Sequence, residues 1–287
     1  MTGKLYHFPV LSQPDLLLFR APGPGLGNLM FPIARALAGR ARHGGSFIMP
    51  TMRQMKFGTF LRNEPDRRTY GGIFRGRTFP EFAERLAIMP GPSVAETEYN
   101  PARFPAGVVR YEGLRGYFHD IAPWRETLTQ WFQKRAVISG GIAEPYDLAI
   151  HVRLGDFAPA QPGNRGPNLR LSAAWYLGAL EQARELLQMK APRTVLFTDA
   201  RPQELDKIAQ AAGATPDPGG NAITSILNMS RARLVIASRS TFSMWACFLG
   251  NTAALWDAGF DLAPFWPERP GRDHRHLLEG ATDRASA

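Results

Sequence analysis

The stretch that decides the fold is YDLAIHVRLGDF, Tyr146–Phe157, in which an apolar run ends in polar and charged residues. Two later stretches have the same form, RTVLFTD at Arg193–Asp199 and RLVIAS at Arg233–Ser238. Segments with apolar residues at helical spacing lie between them, such as SAAWYLGALEQARELLQM, which begins with Ser172 as a candidate N-cap. Strands that alternate with helices in this way predict an α/β fold with a doubly wound parallel sheet.

Polar side chains follow each of these three strands where its apolar run ends. The carboxyl ends of parallel strands meet at one edge of the sheet, and open α/β sheets bind ligands at that edge. An arginine and hydroxyl groups at the start of a helix suit one anion. The residues of this predicted anion site are His151, Arg153, Asp156, Thr198, Asp199, Arg239, Ser240, Thr241 and Ser243.

A glycine-rich element precedes this region, in FRAPGPGLGNLMFPIARALAGRARHGG, Phe19–Gly45. It is not a dinucleotide fingerprint, because the third glycine would have to stand at Asn28 or Met30. It is not a P-loop, since no Lys-Ser or Lys-Thr pair follows the turn. Gly25 and Gly27 instead predict a turn that permits positive φ and brings a ligand close to a helix N-terminus. An ordinary strand-to-helix connection explains the same residues without a ligand.

Charge and cysteine content narrow the class of protein. The net charge is +9, and 29 of the 34 basic residues are arginines. Two explanations of this arginine bias stay open. One is genome composition, and the other is bidentate binding of a phosphate-rich partner. The single cysteine, Cys247, suits a reducing compartment. Without a signal-like or membrane-spanning apolar segment, we expect a cytoplasmic protein, with peripheral contact to an anionic membrane surface as a further expectation.

Five stretches together resemble the bacterial alpha-1,2-fucosyltransferases, glycosyltransferase family 11. PGLGNLMFPIARALA resembles the opening motif of that family, and IHVRLGDF at Ile150–Phe157 resembles its IHVRRGDY segment. SRSTFSMWACFLGN at Ser238–Asn251 resembles ANSTFSWWGAWLN. GYFHD at Gly116–Asp120 and FTDA at Phe197–Ala200 resemble two shorter motifs. The order and spacing agree from about residue 20 to residue 256.

This resemblance implies a GT-B-like α/β fold, with two Rossmann-like domains and the donor cleft between them. It implies an inverting, metal-independent glycosyltransferase that takes GDP-fucose as co-substrate and needs no cofactor. The implied acceptor is a glycan, with a galactoside 2-OH of a surface polysaccharide as the first expectation and a lipid-linked glycan as another. We divide the chain accordingly into an acceptor-side domain (1–144), a donor-binding domain (145–266) and a polar tail (267–287).

The resemblance also implies roles for individual residues. Arg153 corresponds to the arginine that holds the β-phosphate of the donor. The implied donor-binding residues are Gly25, Gly27, Asn28, His151, Arg153, Asp199, Ser240, Thr241, Phe242 and Ser243. The candidate catalytic residues are Arg153 and Asp156, where Asp156 is either the base for the acceptor proton or an ion-pair partner of Arg153. His119 and Asp120 are second choices for the base, and no metal-ligand set is visible.

The sequence departs from the family pattern at positions that matter for the donor. Leu154 replaces the second arginine of HVRRGD, and Ala200 replaces the second aspartate of FSDD. Ser225 stands where the family has an aspartate that we expect to bind the guanine edge. A carboxylate accepts two guanine N–H bonds, and a serine hydroxyl does not match that pattern. Asn228 or Thr224 substitutes for it, or the donor differs.

Three other functions stay open on the sequence. These are a transferase for another nucleotide-sugar, a nucleotide-dependent oxidoreductase, and a non-catalytic nucleotide- or nucleic-acid-binding module. Nucleic acid is not an expected partner, because no stretch interleaves basic and aromatic residues. The basic stretch Leu61–Arg77 is interpreted as solvated surface, or as a patch that faces an anionic or lipid-diphosphate-linked glycan.

Overall fold

The protein is an α/β structure with two compact units, Met1–Val137 and Ile138–Ala287. The structure is a computed structural model that describes residues 3–55, 69–76, 79–155, 157–159, 168–199 and 205–266. Each unit has its own parallel sheet, which confirms the predicted class. The sequence-based boundary fell at residue 144, and the acceptor and donor roles of the two units stay predictions. No helix within the described ranges is long and apolar enough to cross a membrane.

The first unit is built on four short or medium strands. Its elements are β1 (Leu5–Val10), α1 (Leu26–His43), β2 (Ser46–Phe47), α2 (Phe79–Ile88), β3 (Ser93–Ala95), β4 (Gly107–Glu112), a 3-10 turn (Ala122–Trp124) and α3 (Arg125–Arg135). The sheet order is β2-β1-β4-β3, and all three pairings are parallel. The many proline, glycine and aromatic residues of 50–145 predict an irregular segment with one short helix, α2, and the structure corrects this expectation by adding β3, β4 and α3. Strand β4 pairs with β1 from Leu5↔Gly107 to Val10↔Glu112.

The second unit contains the alternating elements that the sequence predicted. They are β5 (Leu148–Val152), β6 (Ala158–Pro159), β7 (Leu169–Arg170), α4 (Ala173–Leu187), β8 (Thr194–Thr198), α5 (Asp206–Ala212), β9 (Thr215–Pro216), α6 (Ala222–Met229), β10 (Leu234–Ile236), α7 (Thr241–Gly250) and β11 (Ala253–Leu255). The main sheet has the order β11-β10-β5-β8-β9 with every pairing parallel. From β5 the chain runs to β8 on one side, and it later returns to β10 on the other. The switch point of this sheet therefore lies between β5 and β10.

Local sequence signals set the helix ends. The Ser172 hydroxyl accepts a 3.1 Å bond from the Trp175 N–H and caps α4 as predicted. Gly213 ends α5 with φ 56°, a left-handed conformation that glycine adopts without strain. The position of Pro32 close after the glycine turn predicts it in the first turn of α1, and the structure places it instead in the interior of that helix. Because proline has no N–H, it cannot make the bond to Asn28 O that another residue would make there.

A buried arginine ties α1 to the end of β4. Arg35 is 3% exposed, and its Nε lies 3.1 Å from both carboxylate oxygens of Glu96. Its remaining donors bond to three carbonyl oxygens, namely Arg115 O at 2.9 Å, Glu112 O at 2.7 Å and Gly113 O at 3.1 Å. A guanidinium is tolerated in this interior because its charge is paired and its donors are used.

We predict that Arg35→Met lowers the free energy of unfolding by about 3–5 kcal/mol, because it leaves Glu96 without its partner in a protein interior. Urea denaturation followed by circular dichroism measures the change. The matched control is Lys4→Met, since Lys4 forms an exposed ion pair with Glu84 at 2.8 Å in the same unit. Equal losses in the two variants would show that the Arg35 cluster does not stabilise the unit.

Candidate functional site

The carboxyl edge of the second sheet collects the polar residues predicted from the sequence. His151 is the penultimate residue of β5, and Asp199 directly follows β8. The segment from Ser238 to Ser243 leads from β10 into α7. Because these strands are parallel neighbours, the three groups share one edge of the sheet. This edge includes the switch point, where doubly wound sheets form a crevice for ligands.

His151 sits in a cluster of hydroxyl groups beneath the start of α7. Its Nδ1 lies 2.9 Å from both Ser243 Oγ and Ser238 Oγ. The carbonyl of His151 accepts a 3.1 Å bond from the Tyr176 hydroxyl on α4. The imidazole also packs on the Phe242 ring, with 5.2 Å between the ring centroids. These contacts join β5, β10 and the first turn of α7.

Burial keeps this histidine neutral. Its side chain is 4% exposed, and burial, reinforced by the charge of Arg153, lowers its pKa to about 3. Ser243 is fully buried, and its hydroxyl bonds to the carbonyl of Ser238 at 3.1 Å. In this geometry both residues hold the first turn of α7 against β5 and β10, and their implied roles in donor binding stay predictions.

The start of α7 presents backbone donors at the carboxyl edge. Ser240 is the N-cap, and its hydroxyl accepts the Phe242 N–H at 3.2 Å. Thr241 and Phe242 are the half-buried residues of this first turn, while Ser240 is 7% exposed. A ten-residue helix carries partial positive charge at this end, which favours an anion.

Arg153 is held in place by Asp199. Its Nη1 lies 3.0 Å from Asp199 Oδ2, and its guanidinium lies 5.2 Å from the centroid of the Phe157 ring. Asp199 Oδ1 accepts the N–H groups of Leu154 at 3.0 Å and Gly155 at 3.4 Å. The carboxylate therefore fixes both the arginine and the loop that carries it. Asp156, the candidate base, lies outside the described residues.

Arg239, which the sequence placed among the anion ligands, is a buried structural residue. It is 5% exposed and donates through Nε to Asp257 Oδ2 at 2.9 Å, with a second bond from Nη2 to the same oxygen. Its guanidinium lies 5.7 Å from the centroid of the Phe260 ring. Asp257 follows β11, and no feature of the sequence singled it out as the partner of Arg239.

The substitutes considered for the guanine-binding aspartate are already engaged. Asn228 is fully buried, donates to Gly141 O at 3.1 Å and Asp217 Oδ1 at 2.9 Å, and accepts the Ala143 N–H at 3.1 Å. The Thr224 hydroxyl donates to Asn221 Oδ1 at 2.9 Å and accepts the Ser139 N–H at 3.1 Å. Both side chains are fully buried, so neither presents its oxygen to a base at the surface of this site.

The loop before α6 brings a carboxylate next to Ser225. A Cβ on Gly219 would lie 2.8 Å from Asp217 Oδ2 and 3.0 Å from Ser225 Oγ, so both oxygens border the same small space. Asp217 is held at its other oxygen, where Oδ1 accepts the Gly219 N–H at 3.1 Å. Sequence reasoning missed Asp217, because it lies eight positions before Ser225 and only the turn at Gly219–Gly220 brings the two together.

The glycine turn of the first unit differs from its expected geometry. Gly25 is the N-cap of α1 and has φ −65°. Other residues adopt this angle without strain, so the backbone conformation at this position does not require glycine. A Cβ there would meet only the Tyr70 hydroxyl, at 3.9 Å. The Leu26 N–H donates to this same hydroxyl at 2.9 Å. The ligand-binding roles of Gly25, Gly27 and Asn28 stay predictions.

Two further candidates from the sequence lie on the surface of the first unit. His119 and Asp120 are exposed residues of the turn after Gly116, which has φ 62°. Within the described ranges, no group of three or more His, Cys, Asp or Glu side chains could hold a metal ion. The expectation of a metal-independent enzyme stays a prediction.

The likeness of this chain to known proteins is seen in solved structures. No protein-family model matches it, and no curated protein matches it significantly. Among solved structures, POFUT1 in complex with GDP-fucose is 14% identical, with 88% of this chain and 95% of that one covered and a TM-score of 0.47. The fucosyltransferase NodZ from Bradyrhizobium is 12% identical over 86% and 93%, with a TM-score of 0.42. NodZ alpha-1,6-fucosyltransferase co-crystallized with GDP is 13% identical over 86% and 92%, with a TM-score of 0.35.

These structural neighbours are fucosyltransferases, crystallised with GDP-fucose or GDP in several cases. All of the TM-scores quoted are below 0.5, so the function of this chain has to be inferred from its own residues. Membership of glycosyltransferase family 11 and alpha-1,2 specificity stay predictions.

We predict that stability falls as the pH drops from about 6.5 towards 4, in part because His151 stays neutral in the folded protein. Its pKa is lowered to about 3, so the unfolded chain binds a proton in this range and the folded chain does not. His7, where burial lowers the pKa to about 4, acts in the same direction. Each group contributes up to about 1.4 kcal/mol for each pH unit between its two pKa values.

Urea denaturation at several pH values tests this with His151→Asn, which should flatten the pH dependence even if it destabilises the protein at pH 7. His119→Asn is the control, because it removes an imidazole from an exposed position of the first unit. An unchanged slope in His151→Asn would mean that His151 titrates normally in the folded protein.

Proposed function

We propose that this protein is a glycosyltransferase that moves fucose from GDP-fucose to a glycan hydroxyl, with inversion and without a metal ion. The observation that carries the proposal is the arrangement of Arg153, Asp199 and the start of α7 along the carboxyl edge of a doubly wound sheet. Nucleotides bind at this edge in such sheets. The same residues form the segments that resemble fucosyltransferase motifs.

The chemistry requires stabilisation of a departing nucleoside diphosphate. The bond between the sugar C1 and the β-phosphate oxygen breaks, and the acceptor oxygen bonds to C1 from the opposite face as its proton leaves. Arg153 meets the negative charge that develops on the β-phosphate, and the start of α7 faces the same diphosphate. Interactions that strengthen as this charge develops lower the barrier more than interactions made equally in the ground state.

Asp199 acts as a positioning residue in this proposal. It holds the guanidinium of Arg153 at 3.0 Å and anchors the N–H groups of the loop that follows β5. Asp156, three residues after Arg153, is proposed as the base that takes the acceptor proton. His151 cannot serve as a cation for the phosphate, because its low pKa keeps it neutral.

Calorimetric titration with GDP, UDP, CDP and NAD tests the donor site. We expect GDP to bind most tightly and Arg153→Ala to weaken it strongly, because a charge-assisted bidentate contact is lost. Arg193→Ala is the matched control, since it removes the same charge from the exposed residue before β8, at the opposite edge of the sheet. Tightest binding of UDP would reject fucose as the sugar, and tightest binding of NAD would favour an oxidoreductase.

Asp217 is proposed to bind the guanine edge in place of the aspartate that Ser225 replaces. Its Oδ2 borders the same space as Ser225 Oγ, and a carboxylate can accept both N1–H and the 2-amino group of guanine. GDP should therefore bind more tightly than IDP, which lacks the 2-amino group. Asp217→Asn should remove this preference, while Asp206→Asn on the exposed first turn of α5 should keep it. A preference that survives Asp217→Asn would reject this role.

Slow hydrolysis of GDP-fucose tests the chemical step without a known acceptor. We expect fucose release in the presence of EDTA at the same rate as in its absence, and loss of about 10²–10³ in rate for Arg153→Ala. Proton NMR of freshly released fucose should show the anomer opposite to that of the donor. Full inhibition by EDTA that Mg²⁺ reverses would reject a metal-independent mechanism.

A further inference from the structure

The first unit contains a pocket of about 330 Å³ that the proposed donor site does not use. Its wall is formed by the segment after β2, by Leu18 of the β1–α1 loop and by a second stretch from Gly71 to Gly76. The described lining residues are Leu18, Met49, Pro50, Thr51, Met52, Arg53, Gly71, Gly72, Phe74, Arg75, Gly76 and Val137. Because β2 and β1 are parallel, their following segments lie at the carboxyl edge of this sheet, where ligands bind in open α/β sheets.

The lining of this pocket is mainly apolar, and its polar side chains among the described residues are Thr51, Arg53 and Arg75. Met49, Met52 and Phe74 are buried, and Leu18 and Val137 expose 67% and 37% of their surface. The charged residues among the described lining are Arg53 and Arg75, and no carboxylate is among them. Small-molecule sites have this composition, a mainly apolar wall with a few polar groups that fix the orientation of the ligand.

Both arginines present unused donors to the pocket. Within the described residues, neither guanidinium makes a hydrogen bond or an ion pair, in contrast to Arg35, Arg85 and Arg153. The Arg53 side chain packs on Gly71, where a Cβ would lie 3.1 Å from its Nε. A planar guanidinium held in this way binds a carboxylate or a phosphate through two parallel bonds.

The layer behind the pocket adds positive charge. Thr51 belongs to the wall, and it accepts Arg20 Nε at its carbonyl, at 3.0 Å, and Arg85 Nη1 at its hydroxyl, at 2.8 Å. Both arginines are fully buried, and Asp15 is the carboxylate that pairs with this layer, at 2.6 Å from Arg85 Nη2. Nη2 of Arg20 has no hydrogen-bond partner among the described residues. Among the described residues of this layer, two cations face one anion, and this balance favours an anion in the pocket.

The pocket adjoins the start of α1. Tyr70, the residue before the Gly71–Gly76 wall, accepts the N–H of Leu26, the first residue of α1, at its hydroxyl. This contact links the residue next to the pocket wall to the glycine turn that the resemblance assigns to donor binding.

We propose that this pocket binds an anionic group of the glycan acceptor, a sugar carboxylate or phosphate held by Arg53 and Arg75 while the apolar face of the sugar packs on Phe74 and the methionines. The proposal rests on the proposed transferase function, since it names the class of acceptor. All described residues of the pocket belong to the first unit, so binding of the anionic group is expected without a nucleotide.

Three aryl glycosides that differ only at C6 test this proposal. They are 4-nitrophenyl β-D-glucoside, its 6-phosphate, and 4-nitrophenyl β-D-glucuronide, each titrated calorimetrically into the full chain. We expect at least one of the two anionic probes to bind about tenfold or more tightly than the neutral glucoside, because charge-assisted bonds form at C6. The tighter of the two identifies the acceptor group as a carboxylate or a phosphate.

Variants separate specific binding from general attraction. Arg53→Gln and Arg75→Gln should each lower the affinity for the anionic probe about tenfold and leave the neutral glucoside unchanged. Gly76→Phe should block all three probes, since a Cβ at Gly76 meets nothing within 4 Å and the larger side chain can fill the pocket without disturbing the fold. Arg103→Gln is the matched control, an exposed arginine of the first unit that does not line the pocket. Thermal melting confirms that each variant is folded.

The outcomes distinguish this proposal from the donor proposal. Three outcomes overturn the anionic acceptor pocket, whether or not GDP binds. They are equal affinity for the charged and neutral probes, no binding of any probe, and a loss of affinity in Arg103→Gln equal to that in the pocket variants. If GDP does not bind but the anionic probes bind more tightly than the neutral glucoside, the transferase proposal is overturned. The first unit then still has an anion-binding pocket. We expect GDP affinity to be the same in the wild type, Arg53→Gln, Arg75→Gln and Gly76→Phe.

Discussion

The parallel pairing of β5 with β10 on one side and β8 on the other is the constraint on which the candidate site depends. All five residues of β5 are buried, so the strand can lie only in the middle of a covered sheet. Its register with β10, from Leu234↔Leu148 to Ile236↔Ile150, brings His151 level with the segment that leads to α7. Its register with β8 ends at Val152↔Thr198, so Arg153 and Asp199 emerge next to each other. Apolar burial thus decides where the polar residues meet, although none of those polar residues stabilises the sheet by itself.

The arginines of this chain divide according to what surrounds them. Arg35, Arg85 and Arg239 are buried, and each pairs with a carboxylate, because an uncompensated charge in the interior is strongly destabilising. Arg153 is partly buried and pairs with Asp199, which fixes its position while part of its side chain remains exposed at the edge of the sheet. Arg53 and Arg75 line a mainly apolar pocket that has no carboxylate among its described lining residues. These six arginines therefore show two different environments, one in which a carboxylate pairs with the charge and one in which the guanidinium lines a pocket.

Much of the fold could be predicted from local sequence signals. The apolar runs at β5, β8 and β10 were clear because these strands are buried on both faces, and Ser172 and Gly213 marked helix ends through chemistry that acts within a few residues. Strand β4 was missed although it is central to its sheet, because VVRYE alternates between buried and exposed residues over only a short length and lies among glycines and prolines. Asp217 and Asp257 were missed for another reason, since their importance comes from neighbours that are distant in the chain.

The sequence by itself determined the α/β class, the alternation of strands and helices in the second unit, and the polar residues at the strand ends, because these follow from periodicity and from residue chemistry along one segment. The tertiary structure decided which of those polar residues are accessible. It buried His151 and Ser243 beneath α7, paired Arg239 with Asp257, and set Asp199 against Arg153. It also brought Arg53 and Arg75 to one pocket across 21 intervening residues. Burial and pairing depend on packing between distant segments, and no local pattern in a single chain records that packing.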